Sequence, residues 1–192
     1  MTSVTESNVR QFTEHVSTRQ HAMAGATIAA SAAIACSLGE VCVRISIQYQ
    51  DTARGRDTAE KATKRLDDIR QTLLTLADED GAAITAFATL RDAGQELEGQ
   101  ELLCQLPVDM GILAVEAATL MQDARALVLH HQDDLEMAIR LLDGTARASF
   151  LLLDSNLRIW PESDLAAKFE PVLADLRVRL DALQPVEQIR AL

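Results

Sequence analysis

Residues 22–49, AMAGATIAASAAIACSLGEVCVRISIQY, decide how this chain folds. The first part of this stretch, 22–39, carries no charged side chain and consists mainly of Ala, Ser and Thr. Because residues three and four apart share one face of an α-helix, and small side chains let helices approach closely, the spacing predicts the central helix of a bundle over 26–49. The small residues that carry this prediction are Gly25, Ala29, Ala32 and Cys36.

The uncharged stretch Ala22–Gly39 is just long enough to span a membrane. Before Leu38, however, it holds only three large apolar residues, Met23, Ile28 and Ile34. Such a composition contributes little hydrophobic driving force for insertion into lipid. We therefore expect a helix buried in protein, and no association with a membrane.

Helical periodicity continues through the rest of the chain. We expect a short amphipathic helix over 5–16 with Ser7 as its N-cap, and a loop at 51–57 around Gly55. Pro107 is expected to kink or interrupt one of the later helices. These later helices are expected at 58–90, 101–130, 133–158 and 164–183, with a turn at 160–163. The sequence thus predicts one all-α domain over 1–192, an up-and-down bundle of five to six long helices.

Composition narrows the classes of function. The formal net charge is −11, so nucleic acid and anionic membrane surfaces are unfavourable partners. The three cysteines do not form a disulfide framework, and Cys36 and Cys42 lie in an apolar helical run where buried reduced thiols are usual. The adjacent pair His130–His131 points to different helix faces, so no metal site is expected.

Asp134 is the first carboxylate at an unusual position. Glu136, Arg140, Asp143 and Arg147 recur at helical spacing and predict a solvent-facing side with two i,i+4 ion pairs. Asp134 precedes Glu136 by two residues, a rotation of roughly 200°, and so points away from that side. An unpaired buried carboxylate is costly, so Asp134 is expected to cap its helix, pair with a cation or take part in function.

Asp80 is the second such carboxylate. The apolar stripe Leu66, Ile69, Leu73 and Leu76 continues at Ile84 and Phe87, and Asp80 falls between the two parts. Gly81 follows, and a bend there is expected to expose the carboxylate to solvent. Asp80 is therefore either a solvated residue at a bend or a second functional carboxylate.

These features, taken in order, resemble the cyclodeaminase/cyclohydrolase family, which includes the C-terminal part of formiminotransferase-cyclodeaminase and bacterial methenyltetrahydrofolate cyclohydrolases. The small-residue run 22–38 resembles its glycine-rich loop and following helix, although Ala22-Met23-Ala24-Gly25 stands where the family usually has Pro and three glycines. The other matching motifs are Leu76-Ala77-x-x-Asp80, Leu106-Pro107-Val108, Asp134-x-x-x-Ala138 and Asn156-Leu157.

The resemblance implies a helical enzyme that forms or opens the imidazolinium ring of folate one-carbon units. It also implies a cytoplasmic homodimer without metal or redox cofactor, with a tetrahydrofolate derivative as substrate. Asp134 is expected to be the main catalytic group and Asp80 the second. Residues expected to bind the substrate are Ala24, Gly25, Arg54, Arg56 and Asn156, the two arginines at its glutamate tail.

Two alternatives remain at this point. The same scaffold can serve another small-molecule reaction that forms or opens a ring, or it can be a non-catalytic helical partner protein. We expect the homodimer to form through the small-residue face Gly25, Ala29, Ala32 and Cys36, because closed two-fold dimers are the commonest assembly.

Overall fold

A computed structural model describes residues 3, 5–19, 21–159 and 164–191, and within them it contains six α-helices and no strand. Short 3₁₀ turns follow α2, α4 and α6, and the predicted turn at 160–163 lies outside the described residues. The predicted all-α bundle is confirmed. The helices are α1 (Val9–Thr18), α2 (Ala24–Ser46), α3 (Ala53–Asp92), α4 (Gln100–Asp123), α5 (Gln132–Ile159) and α6 (Leu165–Asp181).

Helix α2 lies at the centre and packs against α3, α4 and α5. Near its start, Ala29 shares a core cluster with Ala77 of α3 and Leu106 of α4. Near its end, Ile45 lines the same cleft as Met137 of α5. Successive long helices therefore run in opposite directions. We call the two ends of the bundle the Gly25 end and the Tyr49 end, after the residues at the two ends of the 24–49 segment.

The small-residue face of α2 is used inside the chain. Gly25 is buried, and Ala29, Ala32 and Cys36 are fully buried. Ala32 and Cys36 belong to the main core together with the stripe Leu66, Ile69 and Leu73. The prediction that this face forms a dimer contact is wrong, because the neighbouring helices already occupy it.

Helices α1 and α3 begin at residues other than those predicted, because the side chains that cap them were not predicted. The N-cap of α1 is Asn8 and not Ser7: Asn8 Oδ1 accepts the amide of Gln11 at 2.9 Å, and the Gln11 side chain accepts the amide of Asn8. Thr52 caps α3 by accepting the Gly55 amide at 3.0 Å. The predicted loop at 51–57 is therefore mostly the first turn of α3.

Helix α4 runs without interruption through Pro107, so the break considered there is absent. Helices α2 with its 3₁₀ turn (Ala24–Tyr49) and α4 are long and apolar enough to cross a membrane by length and composition alone. In the bundle, 56% and 61% of their most apolar windows are buried against other parts of the chain. Core helices of a bundle meet the same criteria, so this result is weak evidence for a membrane span.

The charged side of α5 is partly buried, which corrects the predicted solvent-facing side. Glu136 and Asp143 are each only 5% exposed. Glu136 pairs with Arg125, at 2.6 Å, instead of Arg140. The predicted pair Asp143–Arg147 is present at 2.9 Å. Glu136 and Asp143 are buried because the residues after α6 fold back over this side of α5. There the Arg125 guanidinium also donates a hydrogen bond to the Gln184 carbonyl.

Candidate functional site

The start of α2 meets the middle of α3 at Gly25 and Asp80. The amide of Ala26 donates to Asp80 Oδ2 at 2.8 Å, and this buried bond joins residues 54 positions apart. A Cβ atom on Gly25 would lie 2.1 Å from Asp80 Oδ1 and 2.3 Å from its Cγ. Glycine is required here because the carboxyl group lies directly against its Cα. Met23 provides no side-chain cap for α2, so Asp80 caps this helix from another element.

Asp80 is only 5% exposed, so the prediction that a bend at Gly81 exposes its carboxylate is wrong. Helix α3 continues through Gly81, which is also buried. Burial raises the pKa of Asp80, and the Ala26 amide opposes that rise. Among the described residues, Ala26 is its one hydrogen-bond partner. A carboxyl group has about four lone-pair positions, so this single bond uses a small part of its accepting capacity. Such a buried carboxyl is typical of functional sites.

Asp134 lies at the other end of the bundle, on the rim of an open cleft of about 720 Å³. Its side chain is 48% exposed, so it is neither buried nor on an inner wall as predicted. The His131 Nδ1 atom lies 3.3 Å from Asp134 Oδ2. The residues that line this cleft are Ile45, Tyr49, Leu129, His130, His131, Gln132, Asp133, Asp134 and Met137.

His131 introduces α5 in a left-handed backbone conformation, with φ of 64°. Its carbonyl accepts the Leu135 amide, and its ring contacts Asp134 one turn into the helix. Tyr49 and His130 pack edge to face with ring centroids 4.5 Å apart. The expectation that Asp134 would be paired is thus met by a histidine. His130 and His131 were candidates only for metal ligands on sequence grounds, and their place in the lining of this cleft was not predicted.

The two candidate carboxylates do not share a site within one chain. Asp80 contacts α2 at Ala26, whereas Asp134 acts near Cys42, where burial and, to a smaller extent, the negative charge of Asp134 raise the pKa of the thiol to about 11. Ala26 and Cys42 are 16 residues apart on one helix, which is about 24 Å at 1.5 Å per residue. A small substrate bound by one chain therefore meets only one of these carboxylates.

The other predicted site residues divide between the same two ends. Ala24 is exposed and opens α2 beside Gly25. Asn156 is at the Gly25 end, where its side-chain amide donates to the Leu103 carbonyl at 2.6 Å. Arg54 and Arg56 lie exposed in the first turn of α3, at the Tyr49 end, and Arg56 donates to the Gln50 carbonyl at 2.6 Å.

No metal ligand set is evident in the part of the chain that the structure describes, where no three His, Cys, Asp or Glu residues are grouped to hold an ion. The Gly25–Asp80 pair therefore offers acid–base and hydrogen-bonding chemistry, and the Tyr49 end offers aromatic surface, histidine and carboxylate.

Comparison with known proteins identifies the family of this chain. The sequence profile described as formiminotransferase-cyclodeaminase matches residues 8–174. A comparison with curated proteins gave no match. The matched region contains Gly25, Asp80 and Asp134 and covers most of the 192 residues. The chain belongs to the formiminotransferase-cyclodeaminase family.

Proposed function

We propose that this protein catalyses a folate one-carbon reaction at the Gly25–Asp80 pair. The reaction is ring closure of formiminotetrahydrofolate with loss of ammonia, or hydrolysis of methenyltetrahydrofolate. The observation that carries the proposal is the buried Asp80 carboxyl, which lies against a glycine and has one described hydrogen-bond partner. Family membership supports the class of chemistry.

Both reactions pass through a tetrahedral carbon bonded to nitrogen and lead to or from a cationic amidinium. In ring closure, folate N10 attacks the formimino carbon and its proton moves to the formimino nitrogen. The bond from the carbon to this nitrogen breaks after the nitrogen gains one further proton and leaves as ammonia. A carboxyl group with a raised pKa can donate that proton, and the resulting carboxylate then faces the new cation. In hydrolysis, the carboxylate accepts a proton from the attacking water.

The start of α2 contributes to this assignment. Gly25 has no side chain, which lets the Asp80 carboxyl lie directly against the first turn of the helix. Asp80 already caps the helix, so the helix terminus and the carboxyl group are held in a defined position. This arrangement orients the proposed acid–base group without a further side chain, and in our assignment Asp80 replaces Asp134 as the main catalytic residue.

The experiment is a ligand-induced thermal shift with 5-formyltetrahydrofolate, followed by turnover of formimino- and methenyltetrahydrofolate. We expect a shift and turnover for the wild type, and a loss of turnover by roughly two orders of magnitude or more in Asp80→Asn. Glu79→Gln is the matched control, because Glu79 is the exposed acidic neighbour on the same helix. Absence of both binding and turnover in the wild type would contradict the folate assignment. Binding without turnover would indicate a non-catalytic role.

A further inference from the structure

A groove of about 330 Å³ lies between α5 and α6. This volume is at the lower end of the range for small-molecule sites, which is roughly 300–1,000 Å³. Its lining combines apolar side chains with two arginines, in a chain whose formal net charge is −11. We call it the α5–α6 groove, and the residues that line it are Arg147, Phe150, Leu151, Arg177, Leu180 and Asp181.

Two pairs of facing residues define the geometry of the α5–α6 groove. The Arg177 guanidinium lies over the Phe150 ring, with its Cζ atom 5.0 Å from the ring centroid. Arg147 Nη1 lies 3.8 Å from Asp181 Oδ1. The paired positions are three residues apart on α5 and four apart on α6, so the two pairs are separated by about one helical turn, roughly 5 Å. The two guanidinium groups therefore lie on opposite walls at neighbouring levels.

Arg177 has hydrogen-bonding capacity that the chain does not use. In the part of the chain that the structure describes, it forms no ion pair and no hydrogen bond, and the contact with Phe150 is its one interaction. A guanidinium carries five N–H donors in a planar fork that matches the two oxygens of a carboxylate. The Phe150 ring supplies no oxygen acceptor for these donors. A ligand with a carboxylate would supply one.

Arg147 is held from one side and weakly paired on the other. Its Nε atom donates to Asp143 Oδ1 at 2.9 Å. The 3.8 Å to Asp181 is longer than a hydrogen bond, and the Asp181 side chain is 66% exposed. An exposed ion pair of this kind contributes little to stability. A carboxylate ligand can therefore replace Asp181 at Arg147 while Asp143 keeps the guanidinium in position.

Charge and apolar surface together define the class of ligand. Two arginines and one aspartate give the lining one net positive charge, which a single negative charge balances. A ligand with several negative charges would be repelled by the net charge of the chain. Leu151 is 65% exposed, and covering such a side chain with a hydrocarbon or aromatic group is favourable.

We propose that the α5–α6 groove binds a small amphipathic monocarboxylate. Its carboxylate contacts Arg177 and Arg147, and its apolar part covers Phe150 and Leu151. The ligand connects α5 to α6 because each helix contributes one of the two arginines. This inference does not rest on the proposed folate reaction.

The α5–α6 groove is separate from the Gly25–Asp80 pair. Leu180 belongs to the main core, whereas Ala77, one turn before Asp80, belongs to a different cluster. The family profile matches residues 8–174, and the groove residues of α6 all follow residue 174. Membership of the family therefore does not assign this site.

The first test compares ligands of equal shape and different charge. 2-Naphthoate should bind the wild type with a Kd of about 1 mM or lower, with the largest NMR amide shifts at residues 150, 151 and 180. 2-Naphthamide has the same rings without the charge and should bind about tenfold more weakly. Equal affinity for the two compounds, or no binding of 2-naphthoate, would overturn the proposal.

Octanoate separates the two sources of such a ligand. If octanoate binds more tightly than 2-naphthoate, and more tightly than octanamide, the natural ligand is an aliphatic acid. The reverse order between the two acids identifies an aromatic acid. Either order supports a monocarboxylate site.

The second test changes the charges of the groove in opposite directions. Arg177→Gln should weaken binding of 2-naphthoate by about tenfold, because its charge-assisted hydrogen bonds are lost. Asp181→Asn should strengthen binding, because it removes the negative charge that competes for Arg147. Arg179→Gln is the matched control, since Arg179 is on the same helix but lines another groove. Unchanged affinity in Arg177→Gln, or weaker binding in Asp181→Asn, would contradict the assigned contacts.

Two further variants keep the result interpretable. Arg177→Lys retains the charge without the planar fork, so it should lose less affinity than Arg177→Gln and decides the matter if the latter unfolds. Melting temperatures without ligand show whether each variant is folded. Asp80→Asn should bind 2-naphthoate as the wild type does. Loss of binding in Asp80→Asn would place the ligand at the Gly25–Asp80 pair and would refute a separate site.

Discussion

Asp80 and Gly25 illustrate, at the scale of single residues, how a carboxyl group can be held in an apolar interior. Burial disfavours the charged form, and the Ala26 amide stabilises it, with burial the larger effect. The raised pKa means that the folded protein binds this proton more tightly than the unfolded chain does. The contribution of Asp80 to stability is therefore complete below its unfolded pKa, about 3.9. It is lost as the pH rises through the folded pKa.

Asp80→Asn should therefore change stability in a pH-dependent way. Asn keeps an oxygen for the Ala26 amide but carries no charge, so its stability relative to the wild type should be greater at pH 7 than at pH 4. Urea unfolding at both pH values measures this difference. Glu79→Gln should show no such change. A loss of more than about 1 kcal/mol in Asp80→Asn at pH 7, without loss at pH 4, would mean that the charged form stabilises the fold.

Gly25→Ala should destabilise the protein by about 1–3 kcal/mol, the usual cost of overpacking. The reason is the approach of 2.1 Å between the added Cβ and Asp80 Oδ1. Gly111→Ala is the matched control, because its nearest neighbour, Ser149 Cβ, would be at an ordinary 3.4 Å. Removing the obstruction with Asp80→Ala should reduce the cost of Gly25→Ala, and additive effects in this double-mutant cycle would argue against the contact.

At the scale of elements, α5 shows how a charged helix side becomes buried without unpaired charges. Glu136 accepts two hydrogen bonds from Arg125, at 2.6 and 2.8 Å. Arg125 also donates a hydrogen bond to the Gln184 carbonyl. Arg140 donates to the Val186 carbonyl and pairs with Glu187. These contacts fasten the residues after α6 across α5, which explains why a pattern typical of a solvent-facing helix lies under a covering segment.

Glu136→Ala should destabilise the protein by about 2–4 kcal/mol, because it leaves Arg125, which is 32% exposed, without its charged partner. Lys61→Ala is the control, since the Lys61–Asp57 pair is 75% and 59% exposed and should contribute under about 0.5 kcal/mol. Chemical denaturation compares the two. If both variants lose equally little, the α5 pair does not stabilise the covering segment.

At the scale of the whole molecule, the core protects all three cysteines. Burial raises the pKa of Cys36 to about 12 and of Cys42 to about 11, and it raises that of Cys104 as well. Thiol reagents attack the thiolate, which these values make rare at neutral pH. The native protein should therefore react slowly with a maleimide at pH 7.5, and the urea-unfolded protein should react at all three positions. Fast reaction of the folded protein would show that the helices separate readily.

Local periodicity was enough to predict the all-α bundle and the approximate positions of its helices, because helix formation and amphipathic spacing depend on residues within a few turns. The helix that covers 24–46 was recognised from its own small residues. The same local patterns identified Asp80 as a carboxylate within an apolar stripe, whereas Asp134, which they placed on an inner wall, is half exposed. Helix starts were less accurate, because caps such as Asn8 and Thr52 are single hydrogen bonds that compete with neighbouring polar residues.

Tertiary structure alone decided which surfaces are hidden and which residues meet. The face of α2 that carries small residues is buried because α3, α4 and α5 pack against it. The face that carries larger apolar residues is exposed. Glu136 is buried by residues almost fifty positions away in sequence. Gly25 meets Asp80, and Asp134 lies at the other end of the bundle, because the helix directions determine which residues come together. Periodicity within one helix contains no information about contacts between distant segments, so the site emerged only when the helices were packed together.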